Sequence, residues 1–403
     1  LPNALPGSRI ADDSTGGIMP LYEMRKFVAP EFIFGVGARH RVGFYAQHLQ
    51  ARRILIVTDP GVIRAGWLAE LQDDLAAGDL LSVVFSEVMP NPKDHAVMAG
   101  AQTYRDYGCD VIVALGGGSV IDCAKGIGIV AANGGHILDF EGVDQIPRPG
   151  PPLICIPTTA GTAADISQFA IINNTAQRYK FAIISKSVVP DVALVDPETT
   201  LTMDPYLTAC TGIDALVHAI EAYVSTASSP VMDTHALAAI ELIRDNLPLT
   251  IADPTSLAPR ENMMLASLQA GLAFSNASLG AVHALSHSLG GYLDLPHGES
   301  NALLLEHVIR FNYPSAVPRY QRIGQALGIN MASIPEARRE ARITEAIHAL
   351  RTACGIHDGL TQRGISYSEI ADLAPPATRD ACLFTNPRRA SLADIKTLYA
   401  EAL

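Results

Sequence analysis

"DVIVALGGGSVIDCAKG", residues 110–126, is the stretch whose reading decides the fold. It opens with an apolar, β-branched run, passes through three successive glycines, and resumes apolar residues at helical spacing. Strand, glycine turn and helix in that order make a βα unit, with the turn at the carboxyl end of a buried strand. Gly116, Gly117 and Gly118 carry no Cβ, so a phosphate can come close to the main chain there. Ser119 with Asp122 three residues on reads as a capping box, Asp standing in for the usual Glu. The helix start so formed offers unpaired N–H groups and a positive dipole end, which suits a pyrophosphate. An ordinary glycine-rich turn would have the same residues, so this stretch alone leaves both readings open.

Working outward, "RRILIVTD" (52–59), "LSVVFSEV" (81–88), "PLICIPTT" (152–159) and "DVALVD" (191–196) read as further buried strands, with a helix at 95–108 among them. Such alternation predicts a mostly parallel sheet covered on both faces. Past Asp196-Pro197 the character changes: 207–225, 233–247, 260–277, 301–313, 315–328, 341–355 and 391–403 all carry helical periodicity. The expected organisation is a loose leader (1–21), a Rossmann-like α/β nucleotide domain (22–197) and an all-helical domain (198–403). "YEMRKFVAPEFIFGVG" (22–37) adds β-rich segments ahead of the first nucleotide-domain strand, an edge open to pairing. "GVGARH" (35–40) reads as a plain turn, since no helix-opening glycine follows it.

With 403 residues, 48% apolar and 17% charged, the chain can bury a sizeable core. A net charge of −12 argues against nucleic acid and anionic membrane as partners, leaving a small molecule. No window nears eighteen uninterrupted apolar residues. "LPNALPGSRIADDSTGG", at the amino terminus, has neither the basic start nor the apolar core of a signal peptide and reads as a loose or processed leader. Six scattered cysteines without a Cys-x-x-Cys pair read as reduced core thiols of a cytoplasmic chain.

Two more strand ends carry polar groups. Asp59 ends the strand at 52–59, where a carboxylate binds adenosine ribose hydroxyls and repels a 2′-phosphate, favouring NAD over NADP. "TDPG" is equally a turn former. "PTTAGTAADIS" (157–167) offers the hydroxyls of Thr158, Thr159, Thr162 and Ser167. In the helical half, Asp214 and His218 lie four apart, as do His283 and His287, and His297 follows a Leu-Pro that ends the helix. Asp214, His218, His283 and His297 make one carboxylate and three imidazoles without a thiolate. That set suits Fe²⁺ or Zn²⁺, although spacing alone leaves packing histidines open.

Several blocks together resemble the iron-dependent (group III) alcohol dehydrogenase family. They are "PNP" (90–92), "GGGSVIDCAKG" (116–126), "PTTAGTAADIS" (157–167), "TGIDALVHAIEAYVS" (211–225) and "SLGAVHALSHSLGGYLDLPHGESNALLL" (278–305). The similarity runs from about Lys26 to the carboxyl terminus, with the blocks in the family's order. It implies a dehydroquinate synthase-like pair of domains and a metal held by Asp214, His218, His283 and His297. His287 then faces nicotinamide and substrate as the catalytic residue, relaying a proton or positioning the alcohol, while His307 is structural. For NAD it implicates Asp59, Asn91, Gly117, Gly118, Ser119, Asp122, Thr158, Thr159, Thr162, Ser167 and Lys180. Two positions depart from the family pattern. Asp165 stands for Glu, which would shorten a side chain near the cofactor, and Ser288 stands for Pro, which would loosen the helix end beside the metal.

The activity so implied is reversible hydride transfer between a small, primary or small secondary, alcohol and NAD, with the metal as Lewis acid. It would take place in the cleft between domains of a homodimer or higher oligomer. A zinc polyol dehydrogenase, a dehydroquinate synthase-like lyase and a nucleotide-sensing regulator on the same fold are the rival readings.

Overall fold

The computed structural model describes residues 24–357 and 359–403. The leader expected at 1–21 lies outside them. The described residues form nine strands: β1 (Glu31–Phe34), β2 (Arg53–Val57), β3 (Leu81–Phe85), β4 (Val111–Gly116), β5 (Gly142–Val143), β6 (Leu153–Pro157), β7 (Phe169–Asn174), β8 (Tyr179–Ile184) and β9 (Val192–Val195). Among them lie helices α1 (Val42–His48), α2 (Pro60–Arg64), α3 (Trp67–Ala76), α4 (Asp94–Asp106) and α5 (Gly118–Asn133). From Pro205 on, the described residues form no strand. They form α6 (Pro205–Val224), α7 (Pro230–Ala252), α8 (Leu257–Ala277), α9 (Ala281–Leu293), α10 (His297–Asn312), α11 (Val317–Ala326), α12 (Glu336–Ala353), α13 (Ile370–Arg379) and α14 (Leu392–Glu401).

Six strands make one wholly parallel sheet in the order β1-β9-β6-β4-β2-β3. All five strands expected from 52–59, 81–88, 110–118, 152–159 and 191–196 are in it. Ile54, Ile112, Ile154 and Val192 are buried, as strands covered on both faces require. The chain runs outward from β2 to β3, then returns to lay β4 on the other side of β2. This reversal opens a crevice at the carboxyl ends of β2 and β4, the usual ligand position in such sheets.

The region 22–37 contributes β1, which caps the sheet edge beside β9, with Phe32 well exposed. A second sheet, β5-β8-β7, has no counterpart in the sequence expectations. Its antiparallel β7–β8 pair turns through Thr175–Arg178, where Arg178 takes a left-handed φ of 54° without help from glycine. The helical half packs around α6, whose residues 208–224 are all buried, with α7, α8 and α10 against it. The six cysteines are free and buried. No described helix is long and apolar enough to cross a membrane.

Candidate active site

Three loops converge on the crevice. Val57 pairs with Ala114, so Asp59 comes level with Gly116 at the ends of neighbouring strands. Asp59 caps α2, its Oδ1 accepting from the N–H groups of Gly61 (2.6 Å) and Val62 (3.0 Å). The turn-former reading of Asp59 is thus realised, and its second carboxylate oxygen accepts no hydrogen bond from the described residues. The β4 turn and the 157–167 loop are pressed together. A Cβ on Gly118 would lie 2.7 Å from Thr162 Oγ1, and one on Gly117 would lie 3.0 Å from Thr159 Cγ2. Thr158 ties the two loops through its N–H to the Gly116 carbonyl.

The capping box expected of Ser119 and Asp122 does not form. Gly117 is the N-cap and α5 already begins at Gly118, so Ser119 sits inside the first turn. Its Oγ instead accepts from the Asn91 N–H (3.2 Å), in a left-handed turn of the "PNP" segment. Asp122 accepts from the Ile171 N–H on β7 (3.1 Å), and burial pushes its carboxyl up to about 6 against the pull of Lys125. Lys125 itself donates to Ser167 Oγ and to the carbonyls of Ser167 and Phe169, fixing that loop from below. Lys180 of β8 is buried rather than a surface charge, and desolvation lowers its ammonium to about 8 despite nearby Asp294.

The opposite wall is helical. Asp214 and His218 project from α6, His283 and His287 from α9, and His297 opens α10. Asp214 Oδ1 lies 3.9 Å from His283 Nε2 and 3.7 Å from His297 Nε2, and Asp214 Oδ2 lies 4.0 Å from His218 Nδ1. Ligand atoms at about 2.1 Å from a tetrahedral ion stand roughly 3.4 Å apart, so a small contraction would close this cluster on a divalent metal. Two further observations fit that reading. His218 Nδ1 is buried without a hydrogen-bond partner. Burial holds His283 and His297 well below the ordinary histidine range, with neighbouring imidazoles and, at His297, the Lys180 ammonium adding to it, which favours the neutral form that ligates a metal.

His287 stands apart from these four. Its ring stacks on His297 with centroids 5.4 Å apart, and its Nδ1 lies 2.8 Å from Asp380 Oδ2. His307 lies ten residues along α10 from His297, about 15 Å at helical rise.

Asp165 is buried near Lys125, next to Ala164, which lines the cavity. Ser288 lies within α9, and its hydroxyl donates to the Leu373 carbonyl (2.8 Å), tying α9 to α13 instead of loosening it.

Between the two walls lies a partly open cavity, about 640 Å³ of atom-free space with the solvent at its mouth included. Asn91, Gly118, Ser119, Asp122, Thr162, Ser167 and Lys180 line it from the sheet side, and His218, His283, His287 and His297 from the helical side. Phe169, Ile171, Phe274 and Leu279 supply apolar surface, with Phe274 stacked on His218 at 4.4 Å. Asp59, Gly117, Thr158, Thr159 and Asp214 lie outside this lining, the first four along the strand ends and Asp214 behind the histidines.

Three side chains absent from the sequence expectations complete the site. Buried Glu221 accepts from His283 Nδ1 (2.6 Å) and from the N–H groups of Gly280 and Val282 at the start of α9. A carboxylate behind a ligating imidazole fixes its tautomer and ring orientation. Asn301 donates to Asp214 Oδ1 (2.6 Å), and Asp380 holds His287. Glu221 was detectable, because 214, 218 and 221 repeat at helical spacing along one buried face. Asn301, four residues past His297, was detectable in the same way. Nothing near Asp380 announces its role.

Strand-end loops facing a carboxylate–imidazole cluster define a metal- and dinucleotide-linked oxidoreductase. Residues 29–197 match the family model "Iron-containing alcohol dehydrogenase", and 208–403 match "Fe-containing alcohol dehydrogenase family, C-terminal". The chain is 37% identical to the NAD-dependent methanol dehydrogenase of Bacillus methanolicus, covering 94% of this chain and 99% of that one. It is 40% identical to alcohol dehydrogenase 4 of Saccharomyces cerevisiae, over 90% and 94% of the two chains. A crystal structure of 1,3-propanediol oxidoreductase superposes with a TM-score of 0.91 at 37% identity, covering 94% of this chain and all of that one. The chain belongs to the iron-containing alcohol dehydrogenase family, and it is a metal-dependent, NAD-linked alcohol dehydrogenase.

Proposed function

We propose that this enzyme interconverts short, primary alcohols and their aldehydes in a reducing, cytoplasmic setting. The carrying observation is that one cavity has strand-end loops on one side and the Asp214, His218, His283, His297 cluster on the other. A bound Fe²⁺, or Zn²⁺ on the same ligands, supplies Lewis acidity toward the alcohol oxygen. In this reading Asp59 receives the adenosine ribose, and Gly117, Gly118, Ser119 and the threonines of the 157–167 loop receive the pyrophosphate. Asn91, Asp122, Ser167 and Lys180 lie nearer the nicotinamide. His287 takes up the proton that leaves the alcohol. Phe169, Ile171 and Phe274 exclude water and leave room for a short carbon chain. The relatives point the same way, being named for methanol and 1,3-propanediol. The division into a nucleotide domain at 22–197 and a metal domain at 198–403 belongs to this proposal, and the two family segments support it. Six buried free thiols fit a reducing compartment.

The test is NAD-linked absorbance across primary alcohols of one to six carbons, with metal content measured on wild type and His297→Ala. The variant is expected to lose metal and turnover while binding NADH normally, because the nucleotide loops lie on the other wall. Full metal occupancy and turnover in His297→Ala would reject the ligand set. A preference for long or branched alcohols would reject the substrate range.

A further inference from the structure

α9 carries two histidines one turn apart, each with a carboxylate behind its Nδ1. Glu221 stands behind His283 at 2.6 Å, and Asp380 stands behind His287 at 2.8 Å. The first pair belongs to the metal cluster. The second does not: neither His287 nor Asp380 is among the four clustered groups Asp214, His218, His283 and His297, and Asp380 comes from the segment after α13, 93 residues away in sequence. We propose that Asp380 is the positioning residue of the alcohol-oxidation step: it locks His287 as the Nδ1–H tautomer, so that Nε2 presents its lone pair to the cavity. This inference rests on the role of His287 proposed above.

A neutral imidazole carries its proton on one nitrogen only, and an ionised carboxylate can only accept. With Oδ2 2.8 Å from Nδ1, the alternative tautomer would set two lone pairs against each other. The proton therefore belongs on Nδ1, and Nε2 is left as the acceptor. The carboxylate cannot swing away to relieve this arrangement. Its other oxygen, Oδ1, accepts from the Cys382 N–H at 2.8 Å and caps the turn at Ala381–Thr385. The ring is fixed as well, stacked on His297 and almost fully buried. His287 nonetheless lines the cavity, and among the described residues Nε2 has no hydrogen-bond partner. In the step itself the alcohol O–H bond breaks and its proton passes to Nε2. The C–H bond breaks with its electron pair going to NAD⁺, so the alcohol is oxidised by two electrons and NAD⁺ is reduced. His287 is then doubly protonated, and the Asp380 carboxylate faces its new positive charge.

The test is a double-mutant cycle on the metal-loaded enzyme. Asp380→Asn is expected to keep metal content, NADH affinity and alcohol KM near wild type while kcat falls about 100-fold or more. In a His287→Ala background, adding Asp380→Asn should cost nothing further, because a residue acting through another has no effect once that other is gone. Full kcat in Asp380→Asn would overturn the proposal, as would losses that multiply in the double variant or loss of metal from Asp380→Asn. Wild-type turnover in His287→Ala would instead sink the proposed role of His287 itself. Should Asp380→Asn fail to fold, ¹⁵N-histidine spectra of the unaltered zinc-loaded enzyme decide the matter. With the His287 signals assigned by their absence from His287→Gln, a protonated Nδ1 is expected and a protonated Nε2 overturns the tautomer.

Discussion

At the scale of single residues, the site works by giving chemically similar groups different surroundings. Asp59 and Asp214 are both carboxylates, yet one caps a helix at a strand end and the other is buried between helices. If Asp59 selects the cofactor by its charge, Asp59→Asn separates that role from capping, because Asn caps a helix about as well as Asp. The variant is expected to keep its thermal midpoint within a few degrees and to raise the ratio of kcat/KM with NADP⁺ to that with NAD⁺ about tenfold or more, since a like-charge clash is removed. An unchanged ratio would leave Asp59 as a cap and nothing else. Asp214 and the four site histidines were legible in the sequence because such types are rare in apolar surroundings. Glu221 and Asn301 went unnoticed despite their spacing. Asp380 could not have been found, since a contact spanning 93 residues leaves no local pattern.

At the scale of elements, close backbone approach decides whether the ligands meet. His297 reaches Asp214 because α10 begins almost against α6. A Cβ on Gly298 would lie 2.4 Å from the Cys210 carbonyl oxygen and 3.3 Å from Asp214 Cβ. Gly298→Ala must push the start of α10 outward. It is expected to weaken metal retention at least tenfold in a chelator competition while NADH binding is kept, and undiminished retention would show that α10 has slack. Elements were legible wherever periodicity was strong, as in the five buried strands and in α6, α7 and α8. The β7–β8 hairpin was not, because its turn "TAQR" holds neither Gly, Pro nor Asn. α13 was hidden by Pro375 and Pro376 within it. Both matter to the site: β8 delivers Lys180, and α13 leads into Asp380. The supposed capping box shows the reverse error: the helix opens two residues earlier than expected, because the third glycine is already helical, and Ser119 does not cap it.

At the scale of the whole molecule, the sheet ends in β1, a four-residue parallel edge strand with Phe32 at 40% exposure, preceded by Phe27 at 41% and Met24 at 94%. Exposed apolar edges invite pairing, so a dimer or larger even assembly formed through this edge is expected. Light scattering at micromolar concentration should return twice the chain mass or a higher multiple, and a single-chain mass would reject it. Phe32→Lys, which places a charge on the edge, should shift the assembly toward single chains. The arrangement of the two walls along the chain has another consequence, which concerns the order in which the protein is made. β9 is inserted between β1 and β6, so the sheet cannot be completed until residue 195 has been synthesised. Asp214, the first of the four proposed metal ligands, follows it, and His297 comes more than eighty residues later still. At roughly 5–20 residues per second, a ribosome allows the nucleotide-facing sheet several seconds to assemble before any complete ligand set exists. A metal would therefore be a late arrival, able to meet its full ligand set only after every strand of the cofactor wall has been made.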